Sequence, residues 1–145
     1  KGCIMAKERS LVFIKPDGVR RQLVGQVIQR FEAKGLNLLA LEMLNMSNEL
    51  SDKHYAEHVE RDFYPRLREF ITSGPIVVMV IEGDRAISVI RKMVGATDSA
   101  EAEPGTIRGD YSLDKGENII HASDSAESAS REIANFFPAL VPSNA

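Results

Sequence analysis

Two short apolar segments limit the possible fold of this chain more than any other feature of its sequence. The first, Ser10–Ile14, is branched and apolar and ends at Pro16-Asp17-Gly18, a combination that favours a turn or loop. The second, Ile76–Glu82, follows a chain break at Gly74-Pro75. Runs of this length and composition predict strands, and the first is predicted to be a buried strand that opens into a loop.

The spacing of the other apolar residues predicts alternating strands and helices along the whole chain. Apolar residues in Gln22–Lys34 recur at helical spacing, and Gly35 follows as a helix stop. Further helices are predicted at Ser47–Val59, Phe63–Ile71, Asp84–Val94 and Ser125–Phe137, further strands at Leu36–Leu44 and Asn118–Ile120, and a long loop at Ala96–Lys115. This order indicates an α+β split βαβ arrangement, in which helices pack on a four-stranded antiparallel or mixed sheet.

Length, charge and cysteine content exclude several classes of protein. The 145 residues suit one domain, and 18 Lys and Arg against 21 Asp and Glu give a net charge of −3. A mildly acidic chain is not expected to be a dedicated nucleic-acid binder. The single Cys3 excludes a disulfide framework and a Cys-rich zinc site. Because no apolar run approaches the roughly 18–20 residues that span a bilayer, a membrane protein is excluded as well.

The first residues of the chain show neither an apolar signal segment nor a small-residue cleavage site. We interpret residues 1–7 as a leader or an added remnant, with the natural start at Met5, and residues 8–145 as a single domain. The lone thiol and the missing export signal predict a cytoplasmic protein.

His121 is the most informative candidate for chemistry. It ends the predicted strand Asn118–Ile120 and precedes a helix start in which Asp124 and Glu127 have the spacing of a capping box. Ser123 would then be free to contact the imidazole or its neighbours, and a helix N-terminus attracts phosphate. The alternative is a core histidine satisfied by a backbone carbonyl, which the spacing by itself favours.

Cations in the predicted loops and helices could bind phosphate. Candidates are Lys15, Arg20-Arg21, Arg91 with Lys92, and Arg108. The chain has neither a P-loop nor a Rossmann glycine motif, so a nucleotide would have to be held by other groups. Phosphoryl transfer depends on charge stabilisation at the transferred oxygens. Each cation alone is better interpreted as a solvated surface charge, and sequence spacing does not show whether the cations converge.

Two histidines and two aromatic residues have simpler explanations. His54 and His58 lie four residues apart on a predicted helix, a spacing that could hold a metal, but we interpret both as solvent-exposed because no third ligand is evident. Phe63-Tyr64 could stack on a nucleotide base, although packing of Phe63 into the core is favoured.

Five motifs, in order and at similar spacing, resemble the nucleoside diphosphate kinase family from about Glu8 to Phe137. They are Lys15-Pro16-Asp17-Gly18-Val19, His54-Tyr55, Ile71-Thr72-Ser73-Gly74-Pro75, Pro104-Gly105-Thr106-Ile107-Arg108-Gly109-Asp110, and Asn118-Ile119-Ile120-His121-Ala122-Ser123-Asp124-Ser125. Several separate motifs over nearly the whole chain are far more specific than one short pattern. The resemblance therefore outweighs the simpler explanations given above.

The resemblance implies a ferredoxin-like fold and a ping-pong reaction of broad base specificity. In that reaction His121 takes the terminal phosphoryl group of a nucleoside triphosphate such as ATP and passes it to a diphosphate such as GDP. It further implies that Ser123 and Glu132 hold the histidine and that Tyr55 lies near the phosphoryl path. Neutral imidazole suits this role because it is nucleophilic near neutral pH.

The resemblance also assigns the nucleotide contacts. Phosphate binding falls to Arg91, Thr97 and Arg108. The sugar hydroxyls fall to Lys15 and Asn118, and the base to a stacking contact with Phe63. Mg²⁺ is expected to arrive on the substrate phosphates, and Asp124 is expected to reach it through water.

The chain departs from the family pattern at three places. Ala122 stands where the family usually has Gly, which would restrict the backbone if that position needed a positive φ. Ser99 replaces a familiar proline, so nothing in the sequence is seen to hold the loop Ala96–Lys115, and the tail Pro138–Ala145 is short. We therefore expect a homo-oligomer whose contacts order the loop, a hexamer rather than a tetramer. A regulatory domain without turnover and a signalling phosphocarrier remain as alternative functions.

Overall fold

The computed structural model describes residues 7–140 and has an α+β fold. Strand β1 begins at Lys7, so this residue of the predicted leader lies within the sheet; residues 1–6, with Cys3 and Met5, lie outside the described part, as do residues 141–145 of the tail. Between residues 7 and 140 no helix is both long enough and apolar enough to cross a membrane.

The described residues form four strands and seven α-helices. The strands and five of the helices follow the predicted order, whereas two short helices lie in segments predicted as loops. The strands are β1 Lys7–Ile14, β2 Asn37–Asn45, β3 Pro75–Asp84 and β4 Ile120–Ala122. The helices are α1 Pro16–Arg20, α2 Val24–Ala33, α3 Asn48–His54, α4 Tyr64–Ile71, α5 Ala86–Val94, α6 Ile107–Tyr111 and α7 Ala126–Phe136. Short 3₁₀ turns occur at Ala56–His58, Ser99–Glu101 and Pro138–Leu140.

The sheet has the strand order β2-β3-β1-β4, and every neighbouring pair is antiparallel. Because β1 and β2 both pair with β3, they run parallel to each other on either side of it and are joined through α2. This is the split βαβ order of a ferredoxin-like fold, so the predicted fold class is confirmed. The three residues of β4 pair only with β1, which places His121 opposite Phe13.

Side-chain alternation in the two central strands builds a separate apolar core on each face of the sheet. Val12 and Ile14 of β1 face the core formed with α2 and α5, where Phe31 and Ile90 are buried. The opposite face is covered by α4 and α7. The core on this face is formed by buried residues of these helices and of β1 and β3, and it includes Leu11, Phe13, Ile71, Val78, Ile133 and Phe136. Both faces are covered because the central strands are apolar on both faces over Leu11–Ile14 and Ile76–Ile81.

Three local predictions are wrong. The Pro16-Asp17-Gly18 segment forms the start of helix α1 instead of an open loop, since Pro is tolerated at the first helical position. Within the predicted loop Ala96–Lys115, Thr106 accepts a hydrogen bond from the Gly109 N–H and caps α6. The cap of α7 is Ser125, which accepts from Ser128 N–H, and not Asp124.

The long loop is held within the subunit, contrary to the expectation from sequence. Arg30 of α2 donates to Gly105 O at 2.9 Å and to Asp110 Oδ2 at 2.6 Å, and its guanidinium lies 4.9 Å from the centroid of the Tyr111 ring. One side chain therefore ties three points of the segment to α2. Sequence reasoning missed this clamp because 75 and 80 residues separate Arg30 from its partners.

We expect two helical glycines to respond in opposite ways to substitution by alanine. A Cβ at Gly109 would overlap the Glu103 carbonyl, so Gly109→Ala should lower the free energy of unfolding by about 1–3 kcal/mol. Nothing lies within 4 Å of a Cβ at Gly25 in α2, so Gly25→Ala should raise it by about 0.5–1 kcal/mol. Urea unfolding at one fixed protein concentration measures both changes. Equal effects of the two substitutions would contradict the packing of α6 against the loop.

Candidate active site

His121 is the central residue of β4. Its side chain therefore points to the opposite face of the sheet from the side chains of its two neighbours in the strand. Ile120 and Ala122 are buried in the core beneath α2 and α5, whereas the His121 ring stacks on Phe13 of the other face at 4.8 Å between centroids. The imidazole keeps 19% of its side-chain surface exposed. The strand thus anchors its backbone on one side and presents its ring to a cavity on the other.

Glu132 of α7 fixes the orientation of the histidine ring. His121 Nε2 lies 2.9 Å from Glu132 Oε1, and the Ser123 hydroxyl donates to the same oxygen at 2.8 Å. Ser123 in turn accepts from the Leu11 N–H at 3.0 Å, which ties this pair to β1. An ionised carboxylate accepts hydrogen bonds only, so it favours the tautomer with the proton on Nε2. The lone pair of Nδ1 is then free to act as a nucleophile.

The chain before β4 is strained and held by β1 and α1. Ile119 is fully buried and has a φ of 76°, a conformation that costs a β-branched residue about 1–3 kcal/mol. Two contacts impose it, because Ile119 N–H donates to Asp17 Oδ2 at 3.1 Å and Ile119 O accepts from Lys15 N–H at 2.6 Å. The backbone reversal turns Asn118 toward the cavity while His121 stays in the strand register.

A chain of hydrogen bonds connects the cations of the site to the loop. Lys15 Nζ donates to Asn118 Oδ1 at 2.7 Å, and Asn118 Nδ2 donates to Thr97 O at 2.9 Å. Arg108 is buried and donates to three backbone carbonyls, those of Gly95, Asn118 and Ile120. Three of its five N–H groups are thereby used, so two remain for a bound anion.

Burial changes the acidity of two of these cations. Burial, and the nearby Arg108 charge, lower the pKa of Lys15 to about 8, so the ammonium group is charged near neutral pH and loses its proton in mild alkali. Burial and the charge of Arg91 lower the pKa of Arg108 to about 10. Arg91 itself is exposed and donates to Ala122 O at 3.1 Å. With Arg131, which lines the same cavity, the site contains four cationic side chains.

Two neighbouring cavities meet at His121, and their walls share Lys15, Tyr55, His58, Thr97 and Asn118. The first has a volume of about 310 Å³ and a charged lining that contains Thr97, Arg91, Arg108, Asp124, Arg131 and Glu132. The second, of about 680 Å³, is mainly apolar and is lined by Phe63, Leu67 and Phe70. A small cationic space beside a larger aromatic one suits a molecule with a phosphate chain at one end and a flat ring at the other.

His54 is placed differently from the prediction. It is only 5% exposed, and its ring lies edge-on to His121 with 4.7 Å between centroids. Burial, followed by the charge of His121, lowers the pKa of His54 to about 2, so it is a neutral imidazole. The expectation of an exposed His54 fails because its helix turns the face with Ser51 and His54 inward; His58 is half-buried. Burial also raises the pKa of Tyr55, which keeps that hydroxyl protonated.

The structure shows the surroundings of Ala122 and Ser99, two positions at which the sequence departs from the family pattern. Ala122 lies in β4 and does not have a positive φ, so its side chain is accommodated without the restriction considered above. Ser99 is buried at the start of a 3₁₀ turn, and its hydroxyl has no hydrogen-bond partner among residues 7–140. A buried hydroxyl without a partner is destabilising, and a proline at that position would not create one.

The structure brings the predicted site residues together. All except Ser123 line the two cavities. Ser123 contacts the site through the hydrogen bond that it donates to Glu132. The exposed Asp124 lines the charged cavity at its rim, and the neighbouring Ser128 hydroxyl lowers the pKa of its carboxyl group. The contributions of Asp17 and Arg131 were not predicted from the sequence. The Pro-Asp-Gly turn motif was a local indication of Asp17, whereas the sequence around Arg131 gave no indication of its position in the site.

The fold and the site define a ferredoxin-like nucleotide-binding phosphotransferase, and comparison with known proteins gives the same class. A family model described as nucleoside diphosphate kinase matches residues 8–140. A nucleoside diphosphate kinase of Cutibacterium acnes is 58% identical over 135 residues, covering 93% of this chain and 98% of the relative. The structure of a halophilic nucleoside diphosphate kinase from Halobacterium salinarum in complex with CDP superposes with a TM-score of 0.88 at 47% identity, covering 91% and 88% of the two chains.

A third relative, from Archaeoglobus fulgidus, is 58% identical over 130 residues, which are 90% of this chain and 86% of that protein. The chain therefore belongs to the nucleoside diphosphate kinase family and is an enzyme.

The pKa of Lys15 predicts an alkaline limit to activity. The ammonium group is protonated below pH 8 and neutral above it, so kcat/KM of the free enzyme should fall above an apparent pKa of about 8. In Lys15→Arg the guanidinium stays charged, and the fall should disappear up to about pH 10. Lys92→Arg, at an exposed lysine of α5, is the control and should keep the parent profile. An identical alkaline fall in Lys15→Arg would contradict the assignment.

Proposed function

We propose that this enzyme transfers the terminal phosphoryl group of a nucleoside triphosphate to a nucleoside diphosphate through a phosphorylated His121. The observation that carries the proposal is the hydrogen bond that engages Nε2 and leaves Nδ1 free beside a cationic cavity. A domain that only binds nucleotides has no need for a nucleophile held in this way. A signalling phosphocarrier has no need for the large apolar cavity beside it.

In the first half-reaction, the Nδ1 lone pair forms a bond to the terminal phosphorus of the triphosphate. The bond from that phosphorus to the bridging oxygen breaks, and the nucleoside diphosphate leaves with the electron pair. The ring becomes cationic, and Glu132 stabilises it through the Nε2 proton, which stays in place. In the second half-reaction a terminal oxygen of another diphosphate attacks the phosphorus, and the electrons of the N–P bond return to Nδ1.

The cations act on charge that develops during transfer. Arg91 and the two unused N–H groups of Arg108 can bind the phosphate oxygens, and the Thr97 side chain stands at the same wall. Tyr55, which keeps its proton, and Lys15 line the path of the phosphoryl group. Because Arg108 is fixed by three carbonyls before substrate binds, little reorganisation is required at the moment of reaction.

Substrate recognition is proposed to be broad with respect to the base. Phe63 is 52% exposed at the mouth of the apolar cavity and can stack on any base, since every base has a π-face. Lys15 and Asn118 would contact the sugar hydroxyls between the base and His121. Anchoring through charge and hydroxyl contacts gives purine and pyrimidine nucleotides similar access.

The site residues fit Mg²⁺ that arrives bound to the nucleotide. Asp124 is an exposed carboxylate whose pKa is lowered by Ser128, and one carboxylate together with substrate phosphates is a common way to hold this ion. Asp124 would contact it through water. The ion would neutralise charge on the phosphate oxygens.

We further propose that the enzyme is a cytoplasmic homo-oligomer, a hexamer rather than a tetramer. Strand β2 is an edge of the sheet, and Leu39, Leu41 and Met43 on it are 38%, 51% and 59% exposed. An edge strand with unpaired backbone groups and exposed apolar side chains is a natural site for pairing with a second copy. Such contacts would stabilise the subunit in addition to the Arg30 clamp.

Separating the half-reactions tests the mechanism. Protein incubated with ATP and Mg²⁺, and then freed of nucleotide, should carry one acid-labile phosphoryl group and should convert added GDP to GTP. His121→Ala should lose this group and roughly 10⁴-fold or more of the turnover. His58→Ala retains the proposed nucleophile and should still be phosphorylated. Intact-mass spectrometry measures the intermediate, and turnover of His121→Ala near the parent rate would refute the mechanism.

Dilution tests the proposed assembly. Sedimentation velocity over a wide concentration range should show an oligomer, and its thermal stability should rise with protein concentration. Leu41→Glu places a charge on the β2 edge and should shift the distribution toward smaller species. Val59→Glu, at an apolar side chain that is 38% exposed away from the sheet edge, should leave the distribution unchanged. A heat-stable, fully active monomer at all concentrations would contradict the proposal.

A further inference from the structure

We propose that His54, His121 and Glu132 form a binding site for a divalent transition-metal ion such as Zn²⁺, and that its occupation reversibly inhibits phosphoryl transfer. The inhibitory part rests on the proposed role of His121 as the nucleophile. The binding part rests only on the geometry and chemistry of the three side chains. Such a site is distinct from the Mg²⁺ that accompanies the nucleotide.

The three side chains lie close enough together to share one ion. One ring nitrogen of each histidine and one carboxylate oxygen of Glu132 all lie within 4.8 Å of one another. His121 Nε2 and Glu132 Oε1 are already 2.9 Å apart. Zn–N and Zn–O bonds of about 2.0–2.2 Å put tetrahedral ligands roughly 3.5 Å apart, so a shift of about 1 Å brings the His54 nitrogen into range.

The donor set selects for transition metals. Two imidazoles and one carboxylate match the three-ligand sites of zinc enzymes, in which water or substrate occupies the fourth position. Mg²⁺ prefers oxygen ligands in octahedral geometry and retains its waters, so it is a poor occupant. All three side chains line the charged cavity of about 310 Å³, which gives an ion access and room for a fourth ligand.

His54 has an unused coordinating atom in a buried position. Its Nδ1 has no hydrogen-bond partner in the described part of the chain, although the residue is only 5% exposed. A buried polar atom without a partner costs free energy, and the proposed mechanism gives His54 no other function. Coordination through Nδ1 would give this orphaned atom a partner.

The surrounding cations limit the affinity and make the binding reversible. Arg131 Nη2 lies 3.8 Å from Glu132 Oε2, and Lys15, Arg91 and Arg108 line the same cavity. Their repulsion should make the site weaker than a structural zinc site. An ion between His121 and Glu132 would displace the Nε2 proton to solvent and break the hydrogen bond that sets the reactive tautomer. Metal binding and catalysis would therefore exclude each other.

Metal binding is tested first without nucleotide or turnover. Metal-free protein is titrated with Zn²⁺ by calorimetry and with Co²⁺ by visible absorption, where tetrahedral Co²⁺ gives an intense band and octahedral Co²⁺ a weak one. We expect one ion per subunit, proton release, and the tetrahedral spectrum. His54→Gln and Glu132→Gln should each weaken Zn²⁺ binding at least about 10-fold. His58→Gln, a nearby imidazole outside the cluster, should bind Zn²⁺ like the parent.

Circular dichroism melting confirms that each variant is folded, and the two ligand substitutions provide independent tests of the site. An unchanged Zn²⁺ affinity in both ligand variants, or an octahedral Co²⁺ spectrum, overturns the proposal.

The second experiment measures GTP formation from GDP with excess Mg²⁺ and increasing Zn²⁺, and each variant is compared with its own metal-free rate. The parent and His58→Gln should be inhibited at Zn²⁺ concentrations near the measured Kd, and His54→Gln should require at least about 10-fold more.

Equal inhibition of the parent and His54→Gln would overturn the inhibitory role. The two proposals fail in distinguishable ways. A protein that binds Zn²⁺ as described but forms no phosphohistidine with ATP and Mg²⁺ would refute the proposed function and leave the metal site established. A protein that forms phosphohistidine but shows no His54-dependent binding would refute the metal site alone.

Discussion

The hydrogen bond between His121 Nε2 and Glu132 is the contact on which the geometry of the site depends. It joins the shortest strand of the sheet to the last long helix, and Ser123 ties the same carboxylate to β1. These groups meet only because β4 pairs with β1 in a register that places His121 opposite Phe13. A shift of one residue in that register would turn the imidazole into the opposite core. The sheet register and the orientation of the His121 ring are therefore linked.

Backbone strain and buried charge are concentrated on one side of this contact. Ile119 keeps a φ of 76° because Asp17 and the backbone of Lys15 hold it, and Arg108 is fixed by three carbonyls. Each arrangement is unfavourable on its own, and the two apolar cores of the sheet supply the stability that offsets it. In return, the cations stand in position before a substrate binds, which is the condition for effective stabilisation of a transition state.

Two imidazoles next to each other underlie both chemistries proposed for this site. The His121 ring stacks on Phe13 and makes an edge-on contact with His54. Among the described residues, Glu132 is the only one whose carboxylate lies within hydrogen-bond distance of this ring. The features that make a ring nitrogen a good nucleophile also make it a good metal ligand. The proposed competition between a phosphoryl group and a transition-metal ion for the same histidine rests on that chemistry.

The sequence by itself determined the order of the four strands and of the five longer helices, the α+β class and, through the family resemblance of its motifs, a set of candidate site residues. Local information was sufficient for the strands and helices because apolar periodicity and turn residues act over a few positions. Only the tertiary structure decided that Arg30 clamps the loop, that His54 is buried against His121, and that Ser125 rather than Asp124 caps α7. The first two depend on contacts between residues 67 to 80 positions apart, and the third on competition between neighbouring caps. A linear pattern contains no record of which distant groups meet once the sheet register is set.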